Sequence, residues 1–392
     1  MRSFNDIDVL DLTQSVAGPL STQFLGLFGA NVVKVEPPGG DKFRGLIDGA
    51  MFASANLGGK RSLCLDLKTD KGQAIARELA AKADVIVESF RPGVLEQYNL
   101  DYEAVSAINN DVIYCSLTGY GQDGPRSDWA AYDPLVQAIT GLMATVSDPD
   151  DRPIRVGASL IDYGTGLIAA FLVSSAIRER DRTGQGEYID VSLFDTAVWY
   201  MGYWIAHYTA TEEYPDRAGF EFGGSAPNGG FFAADDEPIY LTVVNDYFFQ
   251  RLCRAVGREG LSRDDRFSSK DERWKHRYEL RAILDEEFRN WERDKLVSAL
   301  TDAGVTAAPV QTVNELVEDD PQVEARNLLT DTYNLHRDVA VKTTSPPFRT
   351  SEGRPDVGDS PPECGEHNRE VLRKYGYDDE TIERLIENDV VQ

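Results

Sequence analysis

Cysteine and histidine are scarce in this sequence. The four cysteines stand far apart without a C-x-x-C pair, and the four histidines show no metal-ligand spacing. This distribution argues against a disulfide framework and a zinc site, so we expect no metal. A dinucleotide fingerprint, G-x-G-x-x-G, is absent after the first strand pattern, as is a phosphate-binding P-loop. No permanently bound cofactor is predicted.

Positive charge is in short supply as well. Asp and Glu number 66 against 40 Lys and Arg, only 11 of them Lys, and the net charge is −26. The acidic excess is spread along the chain, which is typical of a solvated surface that repels nucleic acid and anionic membranes. Acidity with few lysines resembles proteins of salt-loving organisms, in which ionic strength screens self-repulsion. We therefore expect a halophilic protein with neither nucleic-acid nor membrane partners.

Long hydrophobic runs and a secretion signal are also missing. The N-terminus runs straight into a strand pattern and lacks the composition of a signal peptide. The most apolar stretch, Leu167–Ile177, is shorter than the ~20 residues that span a bilayer. The sequence thus predicts a cytoplasmic protein.

Strand and helix patterns alternate through the first 120 residues. Apolar strand patterns occupy five segments: 8–12, 31–36, 62–67, 84–90 and 111–119. Buried strands separated by helices predict an α/β fold with a parallel, doubly wound sheet. Ligands bind such sheets at the carboxyl ends of the strands, so the candidate loops are 13–19, 36–41, 88–93 and 118–125.

The chain changes character beyond about residue 214. A glycine-rich loop leads into strand patterns and three helical patterns, which predict a smaller α+β domain. The tail from 320 onward mixes a helix, a Pro-rich extended stretch and a final helical pattern. Pro-rich segments of this kind wrap a surface rather than form a core of their own.

Asp162 is the most informative single residue. It lies at the start of an apolar helix, where an Asp commonly accepts backbone N–H bonds as a cap. Gly157, Gly164 and Gly166 surround it and leave room for another molecule to approach the backbone. The helix behind it carries no charge until Arg178, so the carboxylate would be anchored on a rigid, buried element. From these residues alone, capping and catalysis both stay open.

Eleven segments follow one another in a fixed order: VLDLTQSVAGP, GANVVKVEPPGGD, GGKRSLCLDLKT, ADVIVESFRPG, SLTGYGQDGP, YDPLVQAITGL, GASLIDYGTG, GQGEYIDVSL, GVTAAPV, DPQVEARN and CGEHNREVL. Together they resemble the class III CoA-transferases of the CaiB/BaiF type over nearly the whole chain. The resemblance implies a Rossmann-like large domain at 1–200, completed by 325–392, and a small domain at 214–315. It also implies an interlocked homodimer.

The same resemblance implies a set of site residues. Asp162 would attack an acyl-CoA and become a covalent aspartyl-CoA thioester, so CoA is a substrate rather than a resident cofactor. The implied CoA-binding positions are Val16, Ala17, Leu65, Lys68, Ser89, Phe90, Arg91, Gln97, Tyr132 and Asp133. A glycine-rich substrate loop is implied at Gly223, Gly224 and Ser225, with Asn228 beside it.

The substrates follow less directly. Pro37 and Gln97 replace basic residues of related transferases, so the CoA phosphates need other cations, for which Lys60, Arg61 and Arg91 are candidates. Similarity to members that act on succinyl-CoA and C4–C5 acids predicts succinyl-CoA as donor and a dicarboxylate such as mesaconate as acceptor. Its distal carboxylate needs a cation, and the candidates are Arg44, Arg155 and Arg217.

Two other functions stay open. A 2-methylacyl-CoA racemase shares the fold and pairs the matching Asp with a His directly before the position of Asp133, where this chain has Tyr132. A phenol of ordinary pKa, ~10, is a poor partner for proton abstraction at neutral pH. The second alternative is a non-catalytic CoA-binding protein, because a fold alone does not establish an activity.

Overall fold

Six parallel strands form the central sheet. The structure, a computed structural model, describes residues 3–146, 152–214, 224–334 and 338–392. The strands are β1 (Asp8–Leu12), β2 (Asn31–Glu36), β3 (Arg61–Cys64), β4 (Val85–Glu88), β5 (Ile113–Thr118) and β6 (Glu187–Ser192). Their order is β3-β2-β1-β4-β5-β6, and every pairing is parallel. The chain therefore reverses its winding direction between β1 and β4, where such sheets open a ligand crevice.

Helices cover both faces of this sheet, which confirms the predicted doubly wound α/β fold. The first seven are α1 (Ala17–Leu27), α2 (Ala50–Asn56), α3 (Asp70–Ala80), α4 (Tyr102–Ser106), α5 (Asp133–Ile139), α6 (Leu160–Thr183) and α7 (Leu193–Tyr200). Short 3₁₀ turns lie at Lys42–Gly45 and Leu95–Tyr98. Because strand side chains alternate, Val85 and Val87 pack with α1, α5 and α6, whereas Ile86 packs with α3 and α4.

The chain divides into two compact units. The first comprises Met1–Leu142, Val156–Tyr203 and Gln322–Gln392, and the second Met143–Arg155 and Trp204–Pro321. Residues 143–155, predicted within the large domain, thus belong to the second unit.

The second unit has an antiparallel sheet and its own apolar core. Its strands are β7 (Asn228–Phe232), β8 (Pro238–Thr242) and β9 (Thr306–Pro309), in that order. The helices in or next to it are α8 (Gly202–Thr211), α9 (Asp246–Ala255), α10 (Lys270–Lys275), α11 (Arg277–Phe288), α12 (Arg293–Asp302) and α13 (Val313–Glu318). Short 3₁₀ turns lie at Leu142–Thr145, Glu259–Arg263 and Asp265–Phe267.

The C-terminal tail completes the core of the first unit. Its elements are α14 (Pro321–Arg326), β10 (Leu329–Asn334), β11 (Val339–Thr344), α15 (Asn368–Lys374) and α16 (Asp379–Glu387). Leu372 and Ile382, both fully buried, join the same cluster as Leu63 and Leu79. The tail therefore packs into the core of the first unit and does not form an independent domain.

Helix α6 corrects one expectation. The apolar stretch predicted to be too short for a membrane is the middle of a 24-residue helix that could cross one by length and composition. However, 56% of its most apolar segment is buried inside the protein, where Ile161, Ala169 and Val173 pack against the sheet. Core helices of soluble proteins share this composition, so the helix is weak support for a membrane span.

Candidate active site

A cavity of about 350 Å³ opens at the carboxyl ends of β1, β4 and β5. This is the crevice expected where the winding direction reverses. Its walls are the loops after those strands and the beginnings of α1 and α6. The residues that line it are Gln14, Ser15, Ala17, Gly18, Lys42, Phe43, Ser89, Phe90, Arg91, Pro92, Val94, Leu117, Thr118, Gly119, Ser127, Trp129, Ala130, Ala131, Tyr132, Asp162 and Leu193.

Six of the residues predicted for the site meet in this cavity: Ala17, Ser89, Phe90, Arg91, Tyr132 and Asp162. They come from four separate parts of the chain. The Tyr132 ring is 56% exposed and lies near the Phe43 ring, with a centroid separation of 6.5 Å. The Ser89 hydroxyl accepts a hydrogen bond from the Gln14 amide at 2.9 Å, which joins the loops after β1 and β4.

Four other predicted positions lie outside the described lining. Leu65 is fully buried, and its side chain joins the core beneath α15 and α16. Val16 is 1% exposed and packs with Leu20 instead. Lys68 and Gln97 are exposed on the surface. Their predicted contacts with CoA stay predictions.

Asp133, also predicted to bind CoA, is not among the described lining residues, and its carboxylate binds groups of the protein. It is 3% exposed, and its Oδ2 accepts hydrogen bonds from the backbone amides of Ile161 at 2.7 Å and Asp162 at 3.2 Å. Its Oδ1 accepts one from Nε2 of Gln137 at 2.5 Å. Gln137 is fully buried, and its Oε1 accepts the amide of Val156 at 2.9 Å. A carboxylate of α5 thus caps the helix that carries Asp162.

Asp162 itself is not the cap. The N-cap position belongs to Ser159, and Asp162 is the third residue of α6, so the capping interpretation is wrong. Its side chain forms part of the cavity wall while the residue is 8% exposed. Burial, with a contribution from the Asp133 charge, raises the pKa of Asp162 to about 7. A carboxyl with such a shifted pKa in a cleft is typical of a functional group.

A buried polar cluster holds the loop between β1 and α1. Asp11 accepts hydrogen bonds from Thr13 Oγ1 at 2.5 Å and from Nζ of Lys60 at 3.1 Å. Nζ of Lys34 donates to the Thr13 carbonyl at 2.7 Å. Burial lowers the pKa of Lys60 to about 8, although Asp11 opposes this. Because Lys60 is 3% exposed and its ammonium is occupied by protein acceptors, it is not a phosphate contact.

Two further arginines proposed for ligand contacts are used within the protein. Nε of Arg61 pairs with Glu370 at 2.6 Å. Arg44 makes a two-pronged pair with Glu36, at 2.7 Å from Nε and 2.5 Å from Nη2. The pair with buried Glu36 makes Arg44 structural, which corrects its predicted role. The pair of Arg61 is exposed, so its contact with a CoA phosphate stays a prediction.

The cations that do line the cavity are Lys42 and Arg91, and both are exposed. Arg91 was predicted from the sequence, whereas Lys42 was missed although it directly follows the predicted ligand loop 36–41. Thr118 and Trp129 were missed as individual residues, but Thr118 begins a predicted ligand loop. Arg155 belongs to the second unit.

The predicted glycine-rich loop lies in the second unit. Its residue Gly223, like the candidate cation Arg217, lies outside the described residues. Gly224 is exposed. The Ser225 hydroxyl donates to the Val243 carbonyl at 2.9 Å, and Oδ1 of Asn228 accepts the Val243 amide at 2.6 Å. Both side chains therefore fasten the start of β7 to the end of β8, and their contact with substrate stays a prediction.

The family model for CoA-transferase family III matches residues 4–368. The chain belongs to the class III CoA-transferases. The chain is therefore an enzyme of this family, as the eleven ordered segments predicted. Relatives agree: a succinate–glutarate CoA-transferase of Agrobacterium fabrum is 34% identical over 390 residues, or 96% of each chain. A succinyl-CoA:mesaconate CoA-transferase of Haloarcula hispanica is 33% identical over 390 residues, covering 96% of this chain and 97% of the relative.

A solved structure of a CaiB/BaiF family protein from Brucella suis is also similar to this class III CoA-transferase. The two share 34% identity and a TM-score of 0.84, over 94% of this chain and 98% of the other. The likeness therefore extends over both units, and it confirms the CaiB/BaiF-type resemblance.

Proposed function

We propose that this class III CoA-transferase moves CoA from succinyl-CoA to a C4–C5 dicarboxylic acid such as mesaconate, with Asp162 as the nucleophile. The observation that carries the proposal is the Asp162 carboxylate in the wall of the cavity at the carboxyl ends of β1, β4 and β5. The substrate class is supported by relatives named for succinyl-CoA, glutarate and mesaconate.

The proposed reaction exchanges thioesters without an energy input. The Asp162 carboxylate attacks the thioester carbonyl of the donor, forms a mixed anhydride and releases CoA thiolate. The thiolate then attacks the aspartyl carbonyl, which frees the donor acid and leaves an aspartyl-CoA thioester. The acceptor carboxylate attacks this thioester, and the released thiolate takes the acceptor acyl group from the second anhydride. Asp162 is regenerated as a carboxylate.

The chemistry requires an ionised nucleophile and little water. A pKa of about 7 leaves a large fraction of Asp162 ionised at neutral pH while burial removes its hydration. Lys42 and Arg91 bring positive charge to the same cavity, and they are the side chains that we assign to the CoA phosphates or the acceptor carboxylate.

Trapping with hydroxylamine tests the covalent step. The enzyme incubated with succinyl-CoA and hydroxylamine should yield an aspartyl hydroxamate in the peptide that contains Asp162. D162N is the inactive control, and D128N, which removes an exposed carboxylate, is the matched active one. Full transfer by D162N, or a hydroxamate at another residue, would refute the assignment.

An acceptor panel tests the substrate class. Mesaconate, citramalate, itaconate, malate, glutarate, oxalate and a monocarboxylate are compared with succinyl-CoA as donor in molar KCl. We expect the highest kcat/KM for a C4–C5 dicarboxylate, and a preference for oxalate or for monocarboxylates would overturn this part. No histidine is found among the described residues that line the cavity, so α-proton exchange of a 2-methylacyl-CoA in deuterium oxide should stay at background.

We also propose that the enzyme is a cytoplasmic homodimer, interlocked as the resemblance implies. Leu167 and Phe171, one helical turn apart on α6, are 43% and 70% exposed, and Trp199 on α7 is 74% exposed. Large apolar side chains exposed on two helices that contact each other support a protein partner. Light scattering should give twice the chain mass, and F171E should weaken the dimer more than S298E, a change at an exposed position of α12.

A further inference from the structure

Two thiols from distant parts of the chain lie close together at the edge of the large sheet. Cys64 ends β3 and is 1% exposed, whereas Cys364 belongs to the tail and is partly exposed. The Cys64 thiol donates to the carbonyl of Pro37 at 3.5 Å, and the interaction of the two thiols lowers the pKa of Cys64 and raises the pKa of Cys364. The sequence predicted isolated cysteines because 300 residues separate the two.

The backbone around both thiols is fixed. The Cys64 amide donates to Oδ1 of Asn368 at 2.9 Å. The amide of Gly365 donates to Oγ of Ser62 at 2.9 Å, and the amide of His367 donates to the Ser62 carbonyl at 3.1 Å. These bonds hold the tail segment directly after Cys364 against β3, so separation of the two cysteines would require that they break.

Glycines allow this close approach. A Cβ atom on Gly365 would lie 3.2 Å from Cβ of Cys64 and 2.1 Å from the Gln392 carbonyl oxygen. A Cβ atom on Gly40 would lie 3.4 Å from Cβ of Cys364. The two cysteines therefore meet in a place where the surrounding backbone is closer than side chains would permit.

We propose that Cys64 and Cys364 are a modification site that closes to a reversible disulfide under mild oxidation by a peroxide. One thiolate attacks a peroxide oxygen, so an S–O bond forms, the O–O bond breaks and hydroxide leaves. The second sulfur then attacks the sulfenic sulfur, so the S–S bond forms and the S–O bond breaks, with loss of water. In total two thiols give up two electrons and two protons, and hydrogen peroxide becomes two molecules of water.

The other two cysteines provide an internal contrast. Cys115 and Cys253 are fully buried, and burial raises the pKa of Cys253 to about 12 and that of Cys115 further still. The interaction with Cys364 lowers the pKa of Cys64, against the effect of burial. Because the thiolate is the reactive form, oxidation should select the pair.

A disulfide here would fasten to β3 the tail segment that also contacts the loop beside the cavity. Nη1 of Arg44 donates to the carbonyl of Pro362 at 2.9 Å, two residues before Cys364. Arg44 follows Lys42 and Phe43, which line the cavity. The oxidised tail would restrict this loop, so the KM for succinyl-CoA should change on oxidation. This consequence rests on the proposed function, whereas disulfide formation does not.

Peptide mapping of the native protein tests the site. After treatment with hydrogen peroxide, the unfolded protein should titrate with two free thiols instead of four. A peptide cross-link between Cys64 and Cys364 should be present and should vanish with dithiothreitol. C64S and C364S should each prevent the cross-link, while C253S should behave like the wild type.

Circular dichroism of C64S and C364S confirms that each variant is folded. If the folded wild type is oxidised at Cys364 to a sulfinic acid without a cross-link, or if its four thiols persist, the disulfide proposal is wrong. If the cross-link forms but the KM of the wild type and of C364S respond equally to peroxide, only the link to the cavity is wrong. Because mapping needs no activity, failure of the CoA-transfer proposal is separately visible.

Discussion

Asp162 combines two demands that oppose each other. A buried carboxyl prefers its neutral form, and burial together with Asp133 raises its pKa to about 7, whereas nucleophilic attack needs the anion. The opposing cations of the cavity, Lys42 and Arg91, are exposed, and the phenol of Tyr132 lies on the same wall. The carboxylate therefore keeps a high free energy in the absence of substrate.

The first prediction concerns stability. Because folding raises the pKa of Asp162, folding favours its protonated form, so the residue destabilises the folded protein above pH ~7 and ceases to do so below pH ~4. D162N should therefore be more stable than the wild type at pH 8, by up to about 4 kcal/mol, and nearly equal to it at pH 4. Urea unfolding at both pH values measures this, with D128N as the control. A less stable D162N at pH 8 would contradict it.

A second prediction concerns the pH profile. The kcat/KM of the wild type should rise with pH through about 7 as Asp162 ionises. D133N removes the neighbouring charge, so this rise should move to lower pH. The variant should also lose ~1–3 kcal/mol of stability, because the new amide nitrogen faces the Nε2 donor of Gln137.

The double variant D133N/Q137E keeps the hydrogen bond between the two side chains but moves the negative charge from position 133 to position 137. The carboxylate of Q137E can accept from the new amide at 133 and from the Val156 amide, so the free energy of unfolding should recover. The pH at which kcat/KM rises should stay lower than in the wild type. An unmoved profile in both variants would show that Asp133 acts only as a helix cap.

The sequence could identify Asp162 but not the role of Asp133. Asp162 has local signals, namely glycines on both sides and an apolar helix after it. The groups that Asp133 binds lie 28 and 29 residues further along the chain, and no spacing rule connects them. Leu65 shows a different limit of the sequence. The resemblance implied a CoA-binding position at Leu65, but it could not show that the C-terminal tail covers this side chain.

At the scale of elements, the close packing of α1 on α6 sets the distance between the first loop and Asp162. A Cβ atom on Gly166 would lie 2.6 Å from the Ala17 carbonyl oxygen and 3.1 Å from Leu20. Helix α6 can lie this near to α1 only because position 166 has no side chain.

G166A should therefore push α1 and α6 apart. We expect a loss of about 1–3 kcal/mol in the free energy of unfolding, as for other overpacked cores, and a lower kcat/KM because Ala17 and Asp162 separate. G202A is the matched control, since a Cβ atom there meets open space. Equal stability and activity of G166A and the wild type would show that the helices adjust without effect on the cavity.

Element bounds were predictable where one periodicity dominated. β1 and β2 match their predicted segments, because buried parallel strands are apolar throughout. The helical pattern at 273–290 instead covers the end of α10 and all of α11, with a break at His276. The stretch Leu167–Ile177 was only part of α6, since Gly166 before it and Arg178 after it end the apolar run without ending the helix.

At the scale of the whole molecule, the net charge of −26 is the main repulsive term. Its effect depends on ionic strength, because the Debye length falls from ~10 Å at 0.1 M salt to ~3 Å at 1 M. The halophilic character that we propose rests on this term and has no part in the chemistry of Asp162.

The free energy of unfolding should therefore rise with KCl, with most of the gain below ~1 M, where screening changes most. Thermal unfolding across a KCl series measures this, and betaine at equal osmolality is the uncharged control. A stability that is flat in KCl, or that rises equally with betaine, would show that the acidic surface does not limit folding.

The nucleophile and most of the cavity wall belong to different kinds of structure, and this difference affects how the substrate specificity can change. Asp162 lies on a helix capped from α5, whereas most of the remaining wall comes from loops after β1, β4 and β5. Substitutions in those loops can alter which acid fits without moving the nucleophile. Such a scaffold is suited to laboratory evolution toward new acceptors, with libraries at Gln14, Val94 and Trp129 and the α5–α6 pair held constant.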